Sequence, residues 1–143
     1  MRRAEIWTVS GGASRLAGTG AGQELAVPQA IACVQNPLNL ADRASVPVLD
    51  ECHARGIAFV PFFPLGSAMT PDNQVLANPR LRTAAGRLGR TPAQVALAWM
   101  LSLRPNVVLI PGTSSVRHLE DNLAAADIDL DDDTRQQLDQ AAP

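Results

Sequence analysis

The chain has 143 residues, its 12 basic residues are all arginine, and its formal net charge is -2 at pH 7. This length fits one ordinary domain that can bury a core. Because no basic excess is present to neutralise a phosphate backbone, the composition argues against a nucleic-acid partner.

No run of the sequence approaches the roughly 20 apolar residues of a membrane span. Residues 1–10 contain paired arginines but no apolar segment of the kind found in signal peptides. We therefore expect no membrane partner and a cytoplasmic location. A reducing compartment also suits Cys33 and Cys52, which we interpret as buried or partly buried thiols because a zinc site needs three or four suitably spaced ligands.

Residues 1–30 are rich in glycine and show no sustained helical period, with one candidate strand at Ile6–Val9. Gly18–Gln23 superficially resembles a dinucleotide-binding loop, but no clear strand precedes it and no convincing helix follows it. A flexible segment is favoured over a phosphate loop. We expect 1–30 to form a divergent, flexible N-terminal segment and 31–143 to form the folded domain.

From residue 31 onward, short apolar runs alternate with helical patterns, as in β-α units with a parallel sheet. Strands are predicted at Ile31–Gln35 and Ile57–Pro61, joined by a helix over Ser45–Arg55 that Gly56 ends. The polar loop Ser67–Asn78 is long enough to be a lid or a binding loop.

The second half of the chain predicts further helices with recognisable starts. Pro79 begins one helix that ends at Gly89, and Thr91 with Gln94 forms a capping box for a helix that is apolar on every face. A third strand and two more helices complete the pattern, at Val107–Ile110, Val116–Ala126 and Asp131–Gln140. The helix dipole favours the acidic residues at the start of the last of these helices, and this role explains them better than a metal site does.

The loop Pro111–Ser115 joins the third strand to a helix and is a candidate anion site. Its small residues allow close approach to the backbone, its hydroxyls can donate, and Arg117 and His118 add charge on the first helical turn. The alternative is that Ser114 or Ser115 only caps the helix, and the spacing does not separate the two interpretations.

Two more candidates follow the first two strands. Phe62 could stack on a flat heterocycle, although core packing is the usual role of such a ring. Gln35 could pair with a ligand amide, although formation of an Asn-Pro turn is the alternative for this segment. All three candidates lie at the carboxyl ends of consecutive parallel strands, where α/β proteins bind ligands. Their shared location favours a binding site.

Four motifs stand in unbroken order in the sequence: Val34–Leu40 with Arg43, Gly56–Gly66, Thr91–Trp99, and Ile110–Ser115 with His118, Leu119 and Asn122. Together they resemble the C-terminal half of the aldo-keto reductases, with the likeness pointing to bacterial members related to pyridoxal reductase. The family folds as a TIM-type (β/α)8 barrel that binds NADPH in an extended pose. The resemblance therefore implies an α/β fold in which the three strands are about strands 6 to 8 of such a barrel.

The resemblance also implies roles for individual residues in holding the cofactor. Gln35 matches the position that holds the nicotinamide carboxamide, and Phe62 matches the ring that stacks on the nicotinamide. Positions along the pyrophosphate match Phe63, Pro64 and Leu65. The loop around the adenosine 2′-phosphate matches Gly112, Thr113, Ser114 and His118. The pair that faces the adenine matches Asp121 and Asn122. His118 stands where Arg or Gln is common in the family, which weakens the positive charge at the 2′-phosphate. NADPH is therefore the expected cofactor, with NADH as the alternative. Arg117 is expected to point away at a different angle.

Catalysis in this family uses an Asp-Tyr-Lys-His tetrad from the N-terminal half. This chain has neither tyrosine nor lysine, so no catalytic residue is assigned. No metal ligand is assigned either. We expect the cofactor-binding half of a carbonyl or aldehyde reductase that is inactive alone and takes a small carbonyl substrate only if the missing half is supplied. The alternative is a non-enzymatic nucleotide-binding or assembly fragment, with self-association through open sheet edges.

The likeness ends abruptly just before Ile31. We therefore expect a displaced reading frame or start site, with the missing half encoded upstream. Translating the upstream DNA in all frames would test this expectation.

Overall fold

The computed structural model describes residues 31–66 and 73–141 with their side chains, and the backbone of two short strands nearer the N-terminus. The strands are β1 (Glu5–Thr8), β2 (Ala13–Arg15), β3 (Ile31–Pro37) and β4 (Ala58–Phe62). The helices are α1 (Val46–Ala54), α2 (Pro79–Leu88), α3 (Pro92–Leu103), α4 (Val116–Leu123) and α5 (Asp132–Asp139). None of the helices in these ranges is long and apolar enough to cross a membrane.

The sheet has the order β2-β1-β3-β4. Strands β3 and β4 are parallel, from Cys33 opposite Ala58 to Pro37 opposite Phe62, and α1 connects them. The predicted β-α-β unit is therefore confirmed. On the other side, β1 pairs antiparallel with β3, and β2 pairs antiparallel with β1. The sheet is mixed as a result.

The predicted N-terminal strand at Ile6–Val9 overlaps β1, although Val9 lies outside the described residues. The loop Gly18–Gln23 also lies outside them, as do the other residues between β2 and β3. The division of the chain at residue 30 and the flexibility of its first part stay predictions.

The predicted third strand, Val107–Ile110, is wrong in extent, because it is reduced to a single parallel bridge between Val107 and Phe59. The Phe59 N–H donates to the carbonyl of Asn106, and the Val108 N–H donates to the carbonyl of Phe59, both at 2.9 Å. The next donor on β4 would be Pro61, which has no N–H. The ladder therefore stops after one bridge, and the segment that follows forms no further bridge with β4.

Helix starts follow the sequence predictions closely. The Thr91 hydroxyl accepts from the Gln94 N–H, and the Gln94 side chain accepts from the Thr91 N–H at 3.0 Å, which completes the capping box of α3. Asp131 accepts from the Thr134 N–H at 2.6 Å and caps α5. Gly89 ends α2 in the left-handed conformation with φ 61°. In contrast, α4 ends at Leu123 rather than Ala126, because the chain tightens there into a 3₁₀ helix over Ala124–Asp127.

Two apolar clusters form the core. The larger one packs α2, α3 and α5 around Trp99, which is 0% exposed. The smaller one fills the space between the sheet and α1 and includes Leu49, Cys52 and Phe59. Both cysteines are free thiols, Cys52 buried and Cys33 partly buried, as expected, and burial raises the pKa of Cys52.

The loop after β4 is shaped by a close approach between Gly66 and Asn73. Gly66 has φ 81°, and a Cβ atom added there would lie 2.8 Å from the Asn73 side-chain oxygen. The Asn73 amide in turn donates to the Leu65 carbonyl at 2.8 Å. Residues 67–72 of the predicted lid lie outside the described ranges, so its role as a lid stays a prediction.

Candidate functional site

The carboxyl ends of β3 and β4 lie at the same edge of the sheet, because the two strands are parallel. Asn39 ties the loops that follow them. Its side-chain amide donates to the Phe63 carbonyl at 3.0 Å, while its oxygen accepts from the N–H groups of Ala41 and Asp42. The turn after β3 is therefore built by Asn39, and the alternative of an Asn-Pro turn is wrong because Asn36 and Pro37 are the last residues of β3.

Two adjacent phenylalanines end β4. Their rings meet edge to face with centroids 5.3 Å apart. Phe62 is partly buried, while Phe63 is 53% exposed and has φ 57°, a left-handed backbone that a residue with a Cβ rarely adopts. Neither ring belongs to the two core clusters of the described chain. An aromatic surface is thus left at the end of β4, while Gln35 of β3 is opposite Val60, two residues before Phe62.

A cavity of about 420 Å³ opens where the loop after β4, the start of α3 and the start of α4 come together. Six of the predicted site residues line it: Leu65, Gly112, Thr113, His118, Asp121 and Asn122. Three other lining residues were not predicted: Leu76, Thr91 and Ala93. The fourth, Arg117, was named in the candidate anion site but not among the residues assigned to the cofactor. The remaining predicted residues, Gln35, Phe62, Phe63, Pro64 and Ser114, do not line this cavity.

The start of α4 forms one wall of the cavity. The Ser115 hydroxyl accepts from the His118 N–H at 3.4 Å, and the Thr113 hydroxyl accepts from the Ser115 N–H at 3.1 Å. Ser115 is thus the capping residue. The first intrahelical donor is Leu119, so the N–H groups of Val116 and Arg117 have no acceptor within the helix. Capping by Ser115 is therefore observed, while anion binding at the same helix start stays a prediction.

A hydrogen-bonded chain supports the opposite side of the cavity. The Gln94 amide is 3.5 Å from the Asp121 carboxylate, while the Gln94 oxygen accepts from both the N–H and the hydroxyl of Thr91. Gln94 is only 5% exposed, so its position is fixed by the packing of α3. The capping box of α3 thereby orients a carboxylate on α4.

Arg117 lines the same cavity as His118 and Asp121. Neighbouring residues on a helix differ by about 100° in direction, and the cavity borders both residues of the first turn of α4. The expected angle of the Arg117 side chain stays a prediction. The Arg-His pair at a helix start indicates a charged site in the sequence, but the sequence does not show the shape of the cavity wall.

The family model described as "Aldo/keto reductase family" matches residues 23–143. The chain belongs to the aldo/keto reductase family. This confirms the resemblance carried by the four sequence motifs.

Two curated relatives give the extent of the match. The chain is 50% identical over 109 residues to pyridoxine 4-dehydrogenase of Escherichia coli K12, covering 76% of this chain and 36% of the relative. It is 40% identical over 112 residues to an uncharacterized oxidoreductase of Schizosaccharomyces pombe, covering 77% of this chain and 35% of that protein. The chain thus spans about a third of the length of these relatives.

Solved aldo/keto reductases share the fold of the chain. The thermostable aldo-keto reductase Tm1743, in complex with the inhibitor epalrestat, is 31% identical with a TM-score of 0.70, over 79% of this chain and 40% of that one. A variant of Gox0644 in complex with NADPH is 27% identical with a TM-score of 0.67, over 82% of this chain and 41% of that one. The fold is therefore part of a TIM-type (β/α) barrel.

Proposed function

We propose that this chain forms the cofactor-binding part of an NAD(P)H-dependent aldo-keto reductase, which reduces a carbonyl group to an alcohol. The observation that carries the proposal is the cavity at the start of α4, because six residues assigned to the cofactor from sequence line it together. The Gox0644 variant in complex with NADPH supports a nicotinamide cofactor. We assign the described strands β3 and β4 and the bridge at Val107 to strands 6 to 8 of the barrel.

The cofactor would lie across the carboxyl edge of the sheet. In this pose Gly112, Thr113, Ser114 and His118 surround the adenosine phosphate. Asp121 and Asn122 face the adenine, and Phe63, Pro64 and Leu65 follow the pyrophosphate. Phe62 stacks on the nicotinamide, and Gln35 holds its carboxamide. When bound, the nicotinamide supplies a hydride; the chain's own residues bind and orient it.

Proton donation is the part of the reaction for which the chain has no matching residue. The family's tetrad needs tyrosine and lysine, and the sequence contains neither. We therefore propose that the chain holds the cofactor without turning it over alone. The name of the Escherichia coli relative, pyridoxine 4-dehydrogenase, supports a pyridoxal-like substrate for the complete enzyme.

Mixing the purified chain with NADPH and pyridoxal tests this division of labour. We expect no NADPH oxidation above the rate in buffer, measured by the loss of absorbance at the reduced nicotinamide. The matched positive control is the Escherichia coli pyridoxine 4-dehydrogenase under the same conditions. Sustained turnover by the chain would show that another residue replaces the tetrad and would refute the proposed inactivity.

An assembly role is the second candidate, and one surface favours it. Helix α4 turns an apolar stripe outward, with Val116 72% and Leu123 68% exposed, and the neighbouring Val108 and Ile110 are about half exposed. A barrel closes with eight strands, and the chain spans about a third of its relatives. We propose that a second copy of the chain covers this stripe and the sheet edge beside it.

Leu123→Glu is expected to abolish this self-association, because it would bury a carboxylate in the apolar contact. Sedimentation equilibrium would show a dimer for the unaltered chain and a monomer for the variant. Ala126→Glu, one turn further along at an exposed position, is the control and should leave the dimer intact. A monomeric unaltered chain at high concentration would rule out the second copy.

A cytoplasmic location is part of the same proposal. The two free thiols, Cys33 and Cys52, support it because a reducing compartment preserves them.

A further inference from the structure

We propose that Asn39 is a positioning residue for the nicotinamide end of the cofactor, because its side-chain amide holds Phe63 in a strained backbone and so fixes the aromatic pair at the end of β4. This inference rests on the proposed function, since it adds a residue to the site in which the cofactor would lie. Asn39 was not among the residues assigned to the cofactor from sequence. It acts on the backbone of the site and does not itself touch the cofactor.

The backbone of Phe63 is the observation that needs an explanation. Within residues 31–66 and 73–141, Phe63 is the only residue other than glycine with a positive φ, at 57°. A backbone of this kind persists only where its surroundings hold it, and such residues cluster at functional sites. The strain does not serve to bury the ring, which is 53% exposed. A role at the surface of the site therefore explains it better than core packing does.

Two hydrogen bonds hold the Phe63 carbonyl in place. The Asn39 amide donates to it at 3.0 Å, and the Gly66 N–H donates to it at 2.9 Å. Asn39 is only 7% exposed, and its oxygen accepts from the N–H groups of Ala41 and Asp42, so its amide has a fixed direction. The turn after β3 thereby fixes the backbone at the end of β4.

The other end of the loop Phe63–Gly66 is held in the same way. The Asn73 amide donates to the Leu65 carbonyl at 2.8 Å, while the Asn73 oxygen accepts from two backbone N–H groups at 3.1 Å. Two asparagines from different parts of the chain therefore hold two carbonyls of one short loop. Removing the Asn39 amide would release Phe63 while Leu65 stays fixed.

The position of Phe63 matters for the ring that we assign to the nicotinamide. Phe62 lies on the same face of the sheet as Val60, the residue opposite Gln35. The rings of Phe62 and Phe63 meet with their centroids 5.3 Å apart and their planes at 75°. The direction of the Phe62 ring therefore depends on where the backbone of Phe63 places the second ring. We expect a change at Asn39 to loosen the nicotinamide end of the cofactor and to leave the adenosine end unchanged.

Asn39→Asp tests the proposal by calorimetric titration of the full chain. The aspartate keeps an oxygen for the turn and replaces the donating amide with a second oxygen that faces the Phe63 carbonyl. We expect the NADPH dissociation constant to rise roughly tenfold. Adenosine 2′-monophosphate lacks the pyrophosphate and the nicotinamide, so its dissociation constant should change less than about twofold. Equal losses for both ligands would indicate a role in stability alone and would overturn the proposal.

Asn78 provides a matched control, because it makes the same pattern of hydrogen bonds away from the site. Its oxygen accepts from the N–H groups of Arg80 and Leu81, and its amide donates to the Ala141 carbonyl at 2.9 Å. Asn78→Asp removes the same kind of bond beyond the end of α5 and should leave the affinity for both ligands unchanged. An equal loss of NADPH affinity in the two variants would contradict a positioning role of Asn39.

A Phe63→Gly background shows whether Asn39 acts through Phe63. Glycine adopts a φ of 57° without strain and can move its carbonyl away from the new carboxylate. Adding Asn39→Asp to this background should therefore change the NADPH dissociation constant less than about twofold. The same comparison decides the matter if Asn39→Asp alone does not fold. A further loss of roughly tenfold in the glycine background would mean that Asn39 acts through another contact.

Failure of this proposal differs from failure of the proposed function in what the unaltered chain binds. If the unaltered chain and a folded Asn39→Asp variant bind NADPH equally well, Asn39 has no positioning role and the proposed function stands. If the unaltered chain binds neither NADPH nor adenosine 2′-monophosphate, the proposed function fails, and the role of Asn39 fails with it.

Discussion

Replacing Trp99 with alanine is expected to lower the free energy of unfolding by about 3–5 kcal/mol, the range for removing a large aromatic side chain from a core. Trp99 is 0% exposed and lies in the cluster that α2, α3 and α5 share. Its indole N–H donates to the Asp139 carboxylate at 2.9 Å, and the Arg43 guanidinium lies 4.6 Å from its ring. The substitution would therefore leave a cavity in this cluster and remove the contacts of the indole with Asp139 and Arg43.

Arg43 shows why the loss at Trp99 would extend beyond packing. Its guanidinium donates to the carbonyls of Leu138 and Asp139 near the end of α5. Burial lowers the pKa of Arg43, and the charge of Asp139 opposes that shift. The ring of Trp99 is the surface against which this cation packs. Without the ring, the link between the loop before α1 and the end of α5 would weaken.

Urea unfolding followed by circular dichroism would measure the effect. Trp99→Phe is the matched variant, because it keeps most of the apolar volume and loses the indole hydrogen bond, and we expect it to cost less than Trp99→Ala. A cost below about 1 kcal/mol for Trp99→Ala would contradict the central place of this side chain in the core.

Ala93→Trp is expected to weaken NADPH binding at least roughly tenfold, which corresponds to about 1.4 kcal/mol. Ala93 lines the cavity from the first turn of α3, opposite the start of α4. An indole there would occupy the space that we assign to the adenosine end of the cofactor. The effect is steric, so NADPH and NADH should both lose affinity.

Ala126→Trp provides the control, because this residue is exposed in the 3₁₀ helix after α4 and does not line the cavity. Unfolding curves of both variants would separate occlusion from loss of the fold. Unchanged NADPH affinity in a folded Ala93→Trp variant would mean that the cofactor does not use this cavity.

Local signals in the sequence predicted most of the elements from residue 31 onward. Thr91 and Gln94 specify a capping box through side chains three residues apart, and Gly89 ends α2 because it tolerates a left-handed backbone. Both features depend on a few neighbouring residues. Their positions could therefore be predicted without knowledge of the tertiary structure.

Features that depend on two distant segments were harder to predict. The apolar run Val107–Ile110 favours a strand, but its pairing depends on the proline at position 61 of the neighbouring strand. The cavity depends on the meeting of α3 and α4, so Ala93 gave no sign of its role in the linear sequence. The strand β1 adds antiparallel to β3 from a segment in which only a faint candidate strand was predicted.

Calorimetric titration of the unaltered chain with NADPH tests the central claim most directly. The chain should bind NADPH saturably with one site per chain, more tightly than NADH, because the cavity at the start of α4 supplies the adenosine phosphate with a cation, hydroxyls and a helix start. Absence of NADPH binding by a folded chain would contradict the claim that this part of the barrel holds the cofactor.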